Sequence, residues 1–437
     1  MSRHLIIFVL SLFLAAPAMG GMDVKREVLP NGLTLLHMER HNLPVVIVSL
    51  LIKSGATEEP EELAGLASLT ASLMNEGTKK RTSQQISEEI EFMGASLGAS
   101  GGKDYSSISL SILKKDIDKG FELFSDILLH PVFAQDEITR KVELSINSLK
   151  SQEERPGFLA GREYIKNVFK EHPYGRLTSG TPATLENIKR KDIQKFHKTY
   201  FRPNNSILTV VGDINAEEVD ALIKKYLKGW KKKNVPQASL PEIKPTVHKV
   251  VKIDRDLTQA TIYLGHSGVT REHPDYYALS VMNYVLGGGG FSSRLMDKVR
   301  DDMGLAYGIH SSLSASKHGG SFTVSVQTRN DAAGIVIEEI LNQIKSIRSE
   351  GITADELEGA KAFLTGSFPR RIDTMGKIAS FLSQVEFHGL GLTYPEDYPR
   401  YINAVTLEDI KRVARTHLSQ ENYALVIVAN QSKAALK

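Results

Sequence analysis

DIQKFHKTYFRPNNSILTVV, the segment at residues 192–211, recurs as DIKRVARTHLSQENYALVIV at residues 409–428. The copies align without a gap at an offset of 409 − 192 = 217, and Asn205, Leu208 and Val211 meet identical residues in the second copy. Each copy has the apolar spacing of a helix, then a polar break, then a β-branched run typical of a strand. The repeat predicts that the chain contains two copies of one domain.

The chain is long enough for two domains, since 437 residues exceed what one ordinary core supports. A Ser-Gly dipeptide ends or follows an apolar strand pattern at residues 54–55 and again at 267–268, a weaker match that chance also explains. Residues 231–246 contain three prolines and neither a helical nor a strand period, which is typical of a linker. We therefore predict an N-terminal domain at 21–230 and a C-terminal domain at 247–437.

The order of predicted elements indicates the fold class. Residues 45–52 are apolar except for Ser49, and residues 105–113 alternate Ile and Leu with Ser, so both segments are predicted as strands. Residues 63–74 and 117–130 have helical spacing. Strands that precede and separate helices without regular alternation favour an α+β fold, with a mostly antiparallel sheet packed with helices in each domain.

Composition excludes several classes of function. The formal net charge is only +3, from 54 basic and 51 acidic residues, which gives no reason to expect a nucleic-acid partner. The chain contains no cysteine, so disulfides, thiolate metal sites and cysteine nucleophiles are excluded.

The N-terminus has the layout of a secretory signal peptide. Arg3 and His4 precede the largely apolar residues 5–16, and small residues follow, with a cleavage position after Gly20. The alternative is a membrane anchor, but twelve helical residues extend about 18 Å against roughly 30 Å of hydrocarbon. No later segment is apolar enough to cross a membrane. We expect residues 1–20 to be removed and the mature protein to be secreted, into the periplasm in a Gram-negative cell.

Several short segments, each weak alone, together carry a family resemblance. They are Leu29-Pro30-Asn31-Gly32-Leu33, Gly65-Leu66-Ala67, Glu76-Gly77-Thr78-Lys79-Lys80-Arg81-Thr82, His172-Pro173-Tyr174-Gly175, Gly180-Thr181, Arg202-Pro203-Asn204-Asn205, Val211-Gly212-Asp213, Ser292-Ser293-Arg294-Leu295 and Gly304-Leu305-Ala306-Tyr307. In order and spacing they resemble the insulinase/pitrilysin family, in its short two-domain branch with the mitochondrial processing peptidases. The resemblance covers nearly the whole mature chain and implies two homologous domains that form half of a clamshell.

The resemblance also locates the family's zinc motif, H-x-x-E-H, on the helix after Gly-Leu-Ala. Positions i and i+4 share a helix face, so two histidines hold one zinc ion while the glutamate accepts a proton from metal-bound water. Here the histidine positions are Ser68 and Ser72, and the glutamate position is Ala71. The third ligand position falls on Ser148, beside Asn147. Serine is a poor zinc ligand and alanine moves no proton, so we expect no zinc or other metal in this chain.

Other chemistry has little support in the sequence. His37 and His41 are spaced i, i+4, but their segment lies between strand patterns, while His266 and His273 flank a turn. Local bonding is the ordinary role for such histidines. The two serines on the motif helix lack a nucleophile elbow and a histidine–aspartate pair, which argues against a serine hydrolase.

The second domain retains Arg300 and Tyr307. By resemblance, an arginine and a tyrosine here face the zinc site from the opposite domain, bind the substrate backbone and stabilise the oxyanion. The glycine run Gly287, Gly288, Gly289 and Gly290 resembles a shortened substrate loop, with a plain helix-to-helix turn as an equal alternative. The sequence argues against a nucleotide loop, because no Gly-Lys-Ser/Thr follows the run and the preceding segment has a helical pattern.

Bacterial two-chain members of this family divide the chemistry, one chain carrying H-x-x-E-H and the other the Arg/Tyr pair. This pattern predicts a non-catalytic subunit that acts in trans on peptides held at a partner's zinc. The partner is expected to be a homologous subunit with an intact motif. The alternatives are a structural or peptide-binding pseudopeptidase and an autonomous hydrolase of unfamiliar chemistry.

Overall fold

The computed structural model describes residues 22–434, so the expected signal segment lies outside the described residues. Eleven strands are described, in two sheets. The strands are β1 (Lys25–Val28), β2 (Thr34–Glu39), β3 (Val45–Ile52), β4 (Ser96–Gly101), β5 (Ser106–Leu113), β6 (Ser206–Gly212), β7 (Lys249–Asp254), β8 (Gln259–Gly268), β9 (Ile309–Ala315), β10 (Gly320–Arg329) and β11 (Ala424–Ala429).

Eight α-helices of the described chain belong to the first half of the sequence. They are α1 (Leu66–Leu73), α2 (Ser83–Phe92), α3 (Ile117–Leu129), α4 (Gln135–Glu153), α5 (Pro156–Phe169), α6 (Pro182–Asn187), α7 (Arg190–Tyr200) and α8 (Ala216–Tyr226). Those of the second half are α9 (Tyr276–Asn283), α10 (Ala333–Glu350), α11 (Ala354–Ser367), α12 (Met375–His388), α13 (Tyr394–Asn403) and α14 (Leu407–His417). Two π-helical segments, Tyr284–Gly288 and Met296–Asp302, follow α9.

The two sheets have the same topology. The first sheet runs β1-β2-β6-β3-β5-β4 and the second runs β7-β11-β8-β10-β9. Without β1, each strand of the first sheet has a counterpart in the second. The single parallel pair lies at the same place in both, β2 with β6 and β7 with β11. The repeated segments are α7 with β6 and α14 with β11, so the two copies predicted from the sequence are confirmed as topological equivalents.

The helices explain why the central strands are apolar along their whole length. In β6 and in β11 every residue is buried, which requires cover on both faces of the sheet. One face of the first sheet packs on helices of its own half, including α1 and α3, around buried residues such as Phe121 and Leu110. The opposite face packs on α12, a helix of the second half.

The two halves exchange helices reciprocally. Ile378 and Leu382 of α12 pack on Leu51 and Ile207 of the first sheet. Helix α5 of the first half packs in turn on the second sheet, where its residue Tyr164 contacts the cluster that includes Val426. Each half therefore supplies one layer of the other half's core.

Polar contacts fix the exchanged helices. The Tyr164 hydroxyl donates to the Phe322 carbonyl at 2.5 Å, and the hydroxyls of Thr209 and Ser383 are 2.8 Å apart and buried. Tyr174, in the His-Pro-Tyr-Gly segment, donates to Asp104 at 2.5 Å. The same Tyr174 oxygen accepts from the backbone N–H of residue 318 at 3.1 Å, so this segment also joins the two halves.

The α+β class predicted from the sequence is confirmed. The strand predicted at residues 45–52 is β3 with identical bounds, whereas the helix predicted at 63–74 is shorter, because a separate 3₁₀ turn covers Glu61–Leu63. Residues 231–246 contain neither helix nor strand. Within residues 22–434, no helix combines the length and hydropathy needed to span a bilayer.

Candidate functional site

Helix α1, which carries the motif positions, starts at a rigid turn. Gly65 has φ 101°, a left-handed conformation that a side chain at this position would strain. The carboxylate of Glu59 accepts from the N–H groups of Gly65 and Ala67 at 2.9 and 2.8 Å, and it is buried. Burial raises the pKa of Glu59 to about 7 from an ordinary value of 4.5. Glu59 therefore caps the start of α1. The backbone N–H groups of a first helical turn have no partner within the helix, and the Glu59 carboxylate accepts from them.

The three motif positions on α1 hold no metal ligand, and the position of the family's glutamate is closed to solvent. Ala71 is 0% exposed, so no open space faces the position of the family's glutamate. Ser68 and Ser72 are half-buried. The Ser72 hydroxyl donates to the Leu69 carbonyl of its own helix at 3.0 Å. The Ser72 hydroxyl is therefore satisfied within α1.

The third motif position lies on α4, which packs against α1. Ser148 and its neighbour Asn147 are exposed, whereas Leu149 is buried in the first core. The Ser148 oxygen accepts from the Gln152 side chain at 3.1 Å. Neutral hydroxyls and a methyl group are the wrong donors for zinc, so the residues present do not fit the family's metal.

The glycine run in the second half is mostly helical. Gly287 and Gly288 end the first π-helical segment, and Gly289 and Gly290 form the turn that follows. A Cβ on Gly287 would lie 2.6 Å from the Ser311 hydroxyl oxygen, so close packing on β9 explains that glycine. Gly290 has φ +60° and open space around it.

A cluster of exposed groups follows the glycine run. Arg300 lies on the second π-helical segment, with its guanidinium carbon 4.7 Å from the ring centre of Phe291 and 5.8 Å from that of Tyr307. Tyr307 is 93% exposed and Phe291 is 72% exposed. Arg300 donates to its neighbour Asp301 at 3.1 Å. Among residues 22–434, the Tyr307 hydroxyl has no hydrogen-bond partner.

The structure therefore brings Arg300 and Tyr307 together and adds Phe291. Sequence reasoning missed Phe291, although an aromatic residue directly after four glycines was a usable signal. The cluster places the planar guanidinium of Arg300, the unbonded hydroxyl of Tyr307 and the apolar ring of Phe291 on one surface. Groups of these types can donate hydrogen bonds to a carbonyl oxygen.

The histidine pairs noted in the sequence are locally bonded. His37 is buried on β2 and bonds the Ile214 carbonyl at 2.9 Å, while His41 bonds Asp213 at 2.6 Å. His266 bonds the Ser267 carbonyl at 2.9 Å. None of these contacts gathers the two members of a pair around one metal position.

One histidine–carboxylate group has ligand atoms within 4.8 Å of one another: His273, Asp275 and His417. His417 Nε2 lies 2.8 Å from Asp275, whose other oxygen accepts from Arg412 at 2.8 Å. His273 Nδ1 accepts from the Asp275 N–H at 3.1 Å, which places the proton of a neutral ring on the other nitrogen. The arginine and this tautomer favour a charge network rather than a metal site.

Two family models match the chain. The model of the insulinase family, peptidase family M16, matches residues 35–181, and the model described as the peptidase M16 inactive domain matches residues 187–364. Together they span the motif face of α1 and the cluster at Arg300 and Tyr307.

Curated relatives carry two kinds of name. A Bacillus subtilis protein named uncharacterized zinc protease YmxG is 25% identical over 93% of this chain and 98% of its own length. A Helicobacter pylori protein named non-peptidase homolog YmxG is 26% identical over 99% of this chain and 100% of its own. A solved Pseudomonas fluorescens structure, described as a peptidase M16 inactive domain, covers 95% of this chain and 99% of its own with TM-score 0.88 and 26% identity.

Proposed function

The chain belongs to the insulinase family of peptidases, family M16, and we propose that it is the non-catalytic subunit of a two-chain zinc endopeptidase. Residues 187–364 match the model described as the inactive domain of the family, and one relative is named a non-peptidase homolog, which support a non-catalytic member. The motif positions on α1 hold serine and alanine, which support the same conclusion from chemistry. Peptide cleavage then requires a second chain.

The observation that carries the proposal is the state of Tyr307. A phenol that is 93% exposed, with no hydrogen-bond partner among the described residues, contributes little to the stability of this chain. Its neighbour Arg300 is held over the Phe291 ring on the π-helical segment. Groups so placed are available to a ligand or partner, and a purely structural subunit has no use for them.

In the proposed complex, Arg300 and Tyr307 act in trans on a peptide held by the partner. The guanidinium binds carbonyl groups of the substrate backbone, because its charge is permanent and its donors are fixed in a plane. The Tyr307 hydroxyl donates one hydrogen bond to the oxygen on which negative charge develops. The partner is a homologous subunit that carries H-x-x-E-H and the zinc ion, and the two chains close around the substrate in the periplasm.

The second candidate is a structural or peptide-binding pseudopeptidase. The closed face of α1 and the internally bonded Ser72 are compatible with it, since neither needs a catalytic partner. The two candidates differ in whether removal of the Tyr307 hydroxyl changes turnover in the assembled complex.

The test is affinity capture of the mature chain with a C-terminal tag, followed by mass spectrometry and a peptide-cleavage assay with and without chelator. We expect a homologous chain of similar size with H-x-x-E-H at 1:1 stoichiometry, and cleavage that the chelator abolishes. The tagged chain purified alone should not cleave peptides. Recovery without such a homologue favours the pseudopeptidase, and chelator-resistant cleavage by the chain alone would indicate an autonomous hydrolase.

A further inference from the structure

A cleft with basic and aromatic walls lies where the exchanged helix α12 meets the second half. Its volume is about 400 Å³, within the range of small-ligand sites. Residues of α12, α13 and the segment before α9 line it, and none of them belongs to the Arg300–Tyr307 cluster. Its walls include Arg271, Arg371, Lys377, His388, Tyr276 and Tyr394. Within residues 22–434, no carboxylate lines this cleft.

Arg271 lines the cleft and is held by aromatic side chains. Its guanidinium carbon lies 3.9 Å from the ring centre of Tyr276 and 5.3 Å from that of Tyr394. It donates to the Tyr394 hydroxyl at 2.6 Å. No ion pair joins Arg271 to an acidic residue of the described chain. A half-buried guanidinium held by aromatic rings alone keeps most of its donors for another acceptor.

Arg371 and Lys377 form the outer wall. The Arg371 guanidinium lies 5.2 Å from the ring centre of Tyr398 and, within the described residues, makes no ion pair. Lys377 pairs with Asp373 at 2.8 Å. Three positively charged side chains therefore line the cleft, and of these only Lys377 is paired with a carboxylate of the described chain.

His388 adds an unsatisfied polar atom. Its Nδ1 is buried and has no hydrogen-bond partner among the described residues. The nearest carboxylate, that of Glu272, is 3.5 Å from this nitrogen and pairs with Lys317 at 2.7 Å. Buried polar atoms without a partner are uncommon and call for an explanation.

We propose that this cleft binds a small multivalent anion whose carboxylate or phosphate groups bridge Arg271 and Arg371. Two guanidinium forks without acidic partners match oxyanions in charge and in geometry. The aromatic faces exclude water from one side of Arg271, which strengthens its bond to an anion. The inference is independent of the peptidase proposal, because it uses none of the residues at Arg300 and Tyr307.

The position of the cleft predicts a consequence for stability. Arg371 and Lys377 lie at the start of α12 or just before it, and α12 packs on the first sheet, while Arg271 lies between β8 and α9 of the second half. An anion bound by both sides connects α12, which covers the first sheet, to the segment between β8 and α9. Binding to the folded state alone raises the apparent stability by mass action, so the melting temperature should rise with ligand.

The test uses the full mature chain at constant ionic strength, titrated with citrate, pyrophosphate and uncharged glycerol by calorimetry and thermal melting. We expect saturable binding of citrate or pyrophosphate, and a higher melting temperature. Binding of citrate alone identifies a carboxylate site, and binding of pyrophosphate alone a phosphate site. Glycerol should not bind. Absence of saturable binding by both anions would overturn the inference.

Two neighbouring arginines provide a matched pair of variants. Arg371→Gln should weaken binding about tenfold or more, since a charge-assisted hydrogen bond is lost. Arg370→Gln removes the same charge from a residue that does not line the cleft and should leave affinity within about twofold. Equal weakening by both variants would mean that the anion responds only to the net charge of the surface, which would overturn the proposal. Arg271→Lys keeps the half-buried charge but removes the planar set of donors, and should also weaken binding while the chain remains folded.

Discussion

The motif face of α1 and the Arg300–Tyr307 cluster are in opposite states. On α1, Ala71 is fully buried and the Ser72 hydroxyl is bonded within its own helix. In the second half, Tyr307 is 93% exposed and its hydroxyl has no partner among the described residues. A surface that has lost its role can close, because burial and internal bonding stabilise the fold. The open cluster lacks that stabilisation, as expected if its groups serve the partner or substrate of the proposed function.

Tyr307→Phe is the variant for which we expect the largest effect. In the assembled complex we expect peptide turnover to fall by about 10²–10³-fold, because one oxyanion donor is lost. Stability of the chain should not change, since the hydroxyl is exposed and unbonded. The measurement is kcat/KM with complex formation checked by size-exclusion chromatography. Tyr226→Phe, which removes a hydroxyl bonded to Asp118 on the first half, is the control and should keep full turnover.

Leu382→Ala tests whether the two halves are one unit. Leu382 is fully buried between α12 and the first sheet, so truncation should lower the free energy of unfolding by about 3 kcal/mol. The unfolding transition, followed by chemical denaturation, should stay single because each half contributes to the other's core. Exposed Leu144→Ala should cost less than about 0.5 kcal/mol. A variant that unfolds in two separate steps would show that the halves are independent.

Ala71→Glu tests how far the motif face has closed. A carboxylate at a position that is 0% exposed has no partner, so we expect a loss of about 2 kcal/mol in unfolding free energy. Ser72→Glu, one residue on and half-buried, is the matched variant and should cost less. Equal stability of Ala71→Glu and the wild type would mean that the face still has room for the family's general base.

The smallest effect concerns pH and the segment that joins the halves. Burial lowers the pKa of His172 to about 4 from an ordinary value of 6.5, so the folded protein binds fewer protons than the unfolded chain between these values. The stability from neutral His172 is present above pH 6.5 and is lost as pH falls towards 4. His172→Asn, which keeps an acceptor for the Tyr174 N–H, should show a shallower loss of unfolding free energy over this window. Parallel pH profiles would contradict the assignment.

Much of the fold could be predicted from the sequence, because its signals are local. The apolar run at 45–52 marked β3, and the repeat at 192–211 and 409–428 marked equivalent helix–strand units. The exchange of α5 and α12 could not be predicted. An apolar stripe such as that of Ile378 and Leu382 predicts burial but does not say which sheet it covers.

The candidate site was predicted only in part. Arg300 and Tyr307 were found by resemblance, whereas the exposure of Tyr307 and its proximity to Phe291 depend on the π-helical segment and its glycine turn. No pattern in the sequence pointed to the cleft that we propose as an anion site. Arg271 and Arg371 are a hundred residues apart, 371 − 271 = 100, and are brought together only by the packing of α12 against the second half.

The most direct test of the central claim is the zinc content of the purified chain compared with that of the captured complex, measured by inductively coupled plasma mass spectrometry. We expect no stoichiometric zinc in the chain alone, because Ser68, Ala71, Ser72 and Ser148 provide no ligand set. The complex should contain one zinc ion per pair of chains. One zinc ion in the isolated chain, or a partner complex without zinc, would contradict the account.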